Sequence, residues 1–116
     1  MDIHLFHSKQ MSCDFKLHSP KIYNPYWRTW GMGKCASIHK MDVFHGLSNE
    51  IPFDLPKNIY KIITIHDVIF KQFPQHYPFV DRFIYDKKTK ASLDIADKII
   101  VTSEATQEQL NAYYKV

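Results

Sequence analysis

Two β-branched runs constrain this chain most. Ile59-Tyr60-Lys61-Ile62-Ile63-Thr64-Ile65 and Lys98-Ile99-Ile100-Val101-Thr102 are nearly continuous in apolar residues. A strand with one face in water alternates apolar and polar side chains. A short run without alternation fits a strand covered on both faces, as in a parallel sheet. Parallel neighbours need a long crossover, usually a helix. Asp81 to Ala96, free of Gly and Pro, reads as that helix, and the two runs are expected as adjacent parallel strands joined by a right-handed connection.

The remaining chain extends the same alternation. Asp2–His7 reads as a short strand, with a weaker second one over Phe15–His18. A helix is expected from Tyr26 or Trp27 to Lys40. Trp27, Gly31, Cys35 and Ile38 share one face of it, although Gly31 and Gly33 weaken it. Met41–His45 is a strand that stops at Gly46, and Leu47–Lys57, with Pro52 and Pro56, is a loop. Pro74 and Pro78 keep Gln72–Pro78 out of a helix interior. Thr106 with Gln109 three residues on gives a capping-box start for a last helix, Gln107–Tyr114. Strand and helix in alternation give an α/β class with a Rossmann-like parallel sheet flanked by helices.

Composition narrows the function classes. The chain has 116 residues, 45% hydrophobic and 23% charged, enough apolar surface to exclude disorder. A net charge of +3 allows contact with an anionic membrane surface or phosphates but requires neither. Cys13 and Cys35 form no CxxC pair and read as reduced thiols. Asp2, His4, His7 and Lys9 interrupt any signal-peptide core, and no apolar run is long enough to span a bilayer. A cytoplasmic protein is expected, with peripheral contact at the inner face of the cell membrane allowed. Tyr23, Tyr26, Trp27 and Trp30 beside Arg28 read as packing rather than a base-stacking surface. Lys87, Lys88 and Lys90 read as a solvated face, so no nucleic-acid partner is expected.

Ligands of open α/β sheets gather beyond the carboxyl ends of the strands. Three strands end in polar residues: His45-Gly46, His66-Asp67 and Ser103-Glu104. Parallel pairing would bring all three to one rim. By type, His45, His66, Asp67 and His76 could bind metal. But adjacent residues of a strand diverge, as do His4 and His7, and no HExxH-type spacing occurs, so no metal is expected. Gly31-Met32-Gly33 follows no strand and lacks a third Gly, and Gly46-Leu47-Ser48 lacks the second Gly of a nucleophile elbow.

Three segments resemble the N-terminal domain of family 4 retaining glycosyltransferases of the GT-B fold. Asp42-Val43-Phe44-His45-Gly46-Leu47-Ser48-Asn49-Glu50-Ile51-Pro52 is similar to that family's D-hydrophobic-(Y/F)-HGLSNE-(L/I)-P segment. Ile63-Thr64-Ile65-His66-Asp67-Val68-Ile69-Phe70, then Phe73-Pro74 and Tyr77, resembles its (V/I)TIHD(L/V)IF…FP…Y segment. Ala96-Asp97-Lys98-Ile99-Ile100-Val101-Thr102-Ser103-Glu104-Ala105-Thr106 resembles ADKII-x-x-SE-x-T. The order and spacing of the three are more specific than any one. The likeness covers residues 41–116 well, and residues 1–40 loosely, through His4-Leu5-Phe6 and Trp27-Arg28-x-Trp30.

The resemblance implies transfer of a sugar from a nucleotide-sugar donor to a glycan, lipid-linked or other hydroxyl acceptor, with retention and no metal or other cofactor. His66 would stand at the cleft near the transferring sugar, with Asp67 orienting it. His45, Gly46 and Asn49 would line the acceptor side. Ser103 and Glu104 would border the cleft while capping and charging the helix that follows. The family's opening strand, its glycine loop, and its donor domain with paired cations have no counterpart in residues 1–116. The expectation is therefore a partial acceptor-side domain, inactive alone and prone to self-association through an unpaired edge. Two other readings are a non-catalytic carbohydrate- or partner-binding module and a metal-dependent hydrolase using His66-Asp67.

Overall fold

The computed structural model describes residues 2–6, 16–20 and 26–116. Readings resting on His7, Cys13, Phe15 and Tyr23 lie outside the described residues. The chain is an α/β domain whose main sheet has three parallel strands: β3 (Val43–Gly46), β4 (Tyr60–Ile65) and β5 (Lys98–Val101), in the order β3-β4-β5. Before them, β1 (His4–Phe6) and β2 (Lys16–His18) pair in parallel as a separate two-stranded sheet. The helices are α1 (Met32–Ile38), α2 (Ile69–Gln72), α3 (Phe79–Ile95) and α4 (Glu104–Tyr114). No helix of the described residues is long and apolar enough to cross a membrane.

The expected adjacency of the two β-branched runs holds: Ile62 pairs with Lys98 and Ile65 with Val101, in parallel, with α3 between them in sequence. The two strands are not equally buried. β4 is central, and Ile63 and Ile65 are fully buried. Each such side chain contributes ~1.5–3 kcal/mol relative to exposure. β5 is an edge strand: Lys98 and Ile100 are exposed while Ile99 and Val101 are half-buried. The expectation of a strand covered on both faces is therefore corrected for β5. Among the described residues no strand pairs with its outer edge, and the face carrying Lys98 and Ile100 is open to water.

The N-terminal helical segment also differs from its sequence pattern. It opens with a π-helical turn, Trp27–Gly31, before α1 begins. Thr29, Gly33 and Ala36 face the core, whereas Ile38 of the expected face is 67% exposed. Gly33 has a physical reason to be glycine: an added Cβ would stand 2.5 Å from the Leu55 backbone nitrogen. The close approach lets Asp54 accept hydrogen bonds from the Gly33 and Lys34 N–H groups at 3.1 and 2.9 Å. A carboxylate there also suits the positive end of α1.

The span 47–57 is irregular, as expected, but it does not run over the surface. Ile51 and Leu55 belong to the core with Phe44, Ile59, Ile63, Ile65, Val68 and Leu93. The Ile51 N–H donates to Ser92 Oγ of α3 at 3.0 Å, which satisfies a backbone donor that burial would otherwise strand. Lys88 is likewise corrected. It leaves the solvated face of α3 and donates to Glu50 Oε1 at 3.0 Å and Thr29 Oγ1 at 3.2 Å. Lys87 remains exposed, over the Phe83 ring.

One polar group ties α2, α3 and α4 together. Asp86 Oδ1 accepts from Lys71 Nζ at 2.7 Å and from the Tyr114 hydroxyl at 2.8 Å. Burial pushes the Asp86 carboxyl up. The hydrogen bonds from Lys71 and Tyr114, with the Lys71 and Lys87 charges, outweigh it and hold the carboxyl below its ordinary 3.8. Burial, then the Asp86 hydrogen bond and charge, pushes the Tyr114 phenol above its ordinary 10.0. A lowered carboxyl stabilises the fold above its unfolded pKa and loses that effect on acidification; a raised phenol stabilises below its unfolded pKa and loses it on alkalinisation. Stability should therefore fall below about pH 4 and above about pH 10. Asp86→Asn should flatten the acid limb and cost about 1 kcal/mol at neutral pH, allowing for solvent screening. Urea melts across pH check both.

Candidate functional site

The parallel register brings the carboxyl ends of β3, β4 and β5 to one rim, because Gly46 lies beside Ile63 and Ile65 beside Val101. All the residues singled out at strand ends meet there. His45, His66, Asp67, Ser103 and Glu104 are exposed, Asn49 is half-buried and Gly46 is buried.

The turn after β3 builds the rim. Gly46 must lack a side chain, since a Cβ would stand 2.3 Å from the Glu50 carbonyl oxygen. Asn49 then takes a left-handed backbone, φ 56°, which Asn tolerates better than most residues. It makes three contacts across to β4. Its N–H donates to the Thr64 carbonyl at 3.1 Å, its Oδ1 accepts from the His66 N–H at 2.9 Å, and its Nδ2 donates to the Asp67 carbonyl at 3.1 Å. Both ends of the amide are used, and the backbone of residues 66–67 is clamped.

The His66 ring is fixed by a different partner. Its Nε2 lies 2.7 Å from the Leu47 carbonyl. A carbonyl only accepts, so Nε2 carries the proton and Nδ1 of the neutral ring is left as an acceptor. The orienting role expected of Asp67 thus falls to Leu47. The Asp67 carboxylate instead accepts from the Ile69 N–H at 3.2 Å, where α2 begins. His45 Nε2 lies 2.8 Å from Thr64 Oγ1.

The third strand end joins through the His66 carbonyl, which accepts from Thr102 Oγ1 and Thr106 Oγ1, each at 3.0 Å. Ser103 is the N-cap of α4, accepting from the Thr106 N–H at 3.2 Å. The helix therefore starts three residues before the expected Gln107, because the Thr106 hydroxyl is committed to Ser103 and His66. Glu104 lies in the first turn, where its charge suits the helix end. Thr64 and Thr102 were not singled out in the sequence, and Thr106 was expected only as a helix cap. A hydroxyl at a strand end, two or three residues from a site residue, was the available signal.

An open groove of about 1000 Å³ runs beside β3. Its lining includes His45, Gly46, Glu50 and Arg28, and also His4 and His39. His66, Asn49, Ser103 and Glu104 lie outside it on the rim. At the edge of the groove, Glu50 is only 15% exposed in its side chain and holds Lys88, Thr29 and, at 4.0 Å, Arg28. Its charge is thus matched within the protein.

Three histidines converge elsewhere. His4 Nδ1 lies 2.8 Å from His18 Nε2, and one ligand atom from each of His4, His18 and His39 falls within 4.8 Å of the others. Burial first, then the charges of His39, His4 and Lys16, hold the His18 imidazole below its ordinary 6.5. The three residues come from β1, β2 and the end of α1, so no spacing along the chain could announce them.

Comparison of the chain with protein-family models, with curated proteins and with solved structures finds no match.

The rim geometry makes Asn49 the side chain on which the site depends. Asn49→Ala removes two side-chain hydrogen bonds and places Ala in a left-handed conformation. It should cost about 2–3 kcal/mol. His66→Ala, which removes one exposed contact, should cost about 1 kcal/mol or less. Denaturant melts of the two variants check the order.

Proposed function

We propose that the chain is the acceptor-side part of a glycosyltransferase resembling family 4, moving a sugar from a nucleotide-sugar donor to an acceptor hydroxyl with retention. In this reading the three-stranded sheet belongs to the Rossmann-like N-terminal half of a GT-B fold. The observation that carries the reading is the His66 ring. It is oriented at a strand's carboxyl end by the Leu47 carbonyl, on a backbone clamped by Asn49. A ring so held offers one acceptor nitrogen in a fixed direction. It can hydrogen-bond a hydroxyl of the transferring sugar as positive charge builds at the anomeric carbon. Its preorganisation is what such a role needs, since no reorientation is required at the moment of reaction.

The other residues take roles by position. His45 and Gly46 border the groove, wide enough for a glycan or lipid-linked hydroxyl acceptor. Asn49 and Asp67 are positioning residues: one clamps the turn and the other starts α2. Ser103 and Glu104 set the helix end that faces the same rim. Neutralising a diphosphate leaving group requires cations, which this reading assigns to a donor-binding domain outside these residues.

Two-dimensional NMR of the labelled 116-residue chain tests the reading. A panel of glycosides should shift the amides of His45, Gly46, Asn49 and His66, and His66→Ala should weaken that binding. The same chain should release no nucleoside diphosphate from UDP-, GDP- or ADP-sugars. Sugar binding that leaves the rim amides unmoved contradicts the assignment of the site. Nucleoside diphosphate release by the chain alone contradicts the division between acceptor and donor sides.

A further inference from the structure

We propose that His4, His18 and His39 form a binding site for one divalent late transition metal of the zinc class, separate from the strand-end rim. The site is built by three elements. His4 and His18 project from β1 and β2, whose register sets Phe6 beside His18 and His4 beside Lys16. His4 and His18 are thus diagonal neighbours, with their rings stacked at 5.1 Å and 2° between planes. His39 follows α1 as its C-cap residue, and its ring centroid lies 4.2 Å from that of His18.

The chemistry favours a metal over a purely structural stack. Imidazole nitrogen is the preferred neutral ligand of zinc, copper and nickel. A tetrahedral ion with bonds of ~2.0–2.1 Å holds its ligand nitrogens about 3.3 Å apart. Here His4 Nδ1 and His18 Nε2 lie 2.8 Å apart, and one ligand atom from each of the three residues lies within 4.8 Å of the others. Closing the set requires displacements of at most about 1.5 Å, within reach of ring rotation at exposed His39. Three protein ligands leave a fourth position for water or an incoming ligand. His4 and His39 also line the groove, which gives the ion a path in. His39 precedes β3 whereas His45 sits near its carboxyl end, so the metal lies toward the opposite end of the strand from the rim. Its direct effect is to tie the β1–β2 pair to the end of α1. The expectation of no metal came from spacing along the chain, which cannot detect ligands drawn from three segments.

Titration of the full chain with Co²⁺, read by visible absorption, and with Zn²⁺, read by calorimetry, tests the site. One ion per chain is expected, with the intense cobalt bands of a four-coordinate centre. His39→Asn suits the test because position 39 is exposed and at a helix end, where Asn is well tolerated. It should weaken Zn²⁺ binding by at least ~10–100-fold, the cost typical of losing even an outer partner. Saturating Zn²⁺ should raise the Tm of the parent chain but not of His39→Asn. His76→Asn, outside the cluster, should bind as the parent does. No stoichiometric binding by the parent chain overturns the proposal. So does binding that survives both His39→Asn and His4→Asn, or that is lost equally in His76→Asn.

Discussion

The arrangement depends most on how the chain turns after β3. Glu50 folds back so closely on Gly46 that no side chain fits there. Asn49 then adopts a left-handed backbone and spends its amide on residues 66 and 67. That turn carries Ile51 into the core, where its N–H meets Ser92. It also delivers the Leu47 carbonyl to the His66 ring. One short segment therefore packs the core on one side and orders the rim on the other. A loop that merely connected two strands would have no reason to bury Ile51 and Leu55.

From this turn the hydrogen bonds continue across the sheet. Asn49 links the end of β3 to the end of β4, and the His66 carbonyl links β4 to Thr102 and Thr106 beyond β5. Each hydrogen bond of this kind contributes only about 0.5–1.5 kcal/mol net. Their value lies in geometry, because together they leave the residue 66–67 backbone a single position. The proposed sugar contact at His66 and the proposed metal at His4, His18 and His39 make different demands. The first needs a ring held by backbone at a strand end; the second needs three rings near enough to share one ion.

The parts legible in the sequence were those with local signals. β-branched residues from Ile59 to Ile65 marked β4 because a central strand needs apolar side chains on both faces. The same signal overstated β5, since apolar composition does not reveal whether a strand lies at the centre or at the edge. Ser103 and Thr106 both carried the capping hydroxyl, and only the demand of the His66 carbonyl decides that Ser103 caps. Convergence of His45, His66 and Ser103 followed from parallel pairing alone. The partner of the His66 ring did not, because a backbone carbonyl has no residue type to read. Lys88 looked like one lysine among three on a solvent face, and only the fold sets Glu50 opposite it. The cluster of His4, His18 and His39 has no local signal at all.

Native-state hydrogen exchange of the amides of Asn49, Ile51 and His66, compared with those of β4, measures the role of the turn most directly. These three N–H groups donate to the Thr64 carbonyl, to Ser92 Oγ and to Asn49 Oδ1. If the turn is part of the core, all three should exchange only when the sheet opens, with the same free energy as Ile63 and Ile65. Exchange of Asn49, Ile51 and His66 at the rate of an exposed loop, while Ile63 and Ile65 stay protected, would contradict that account.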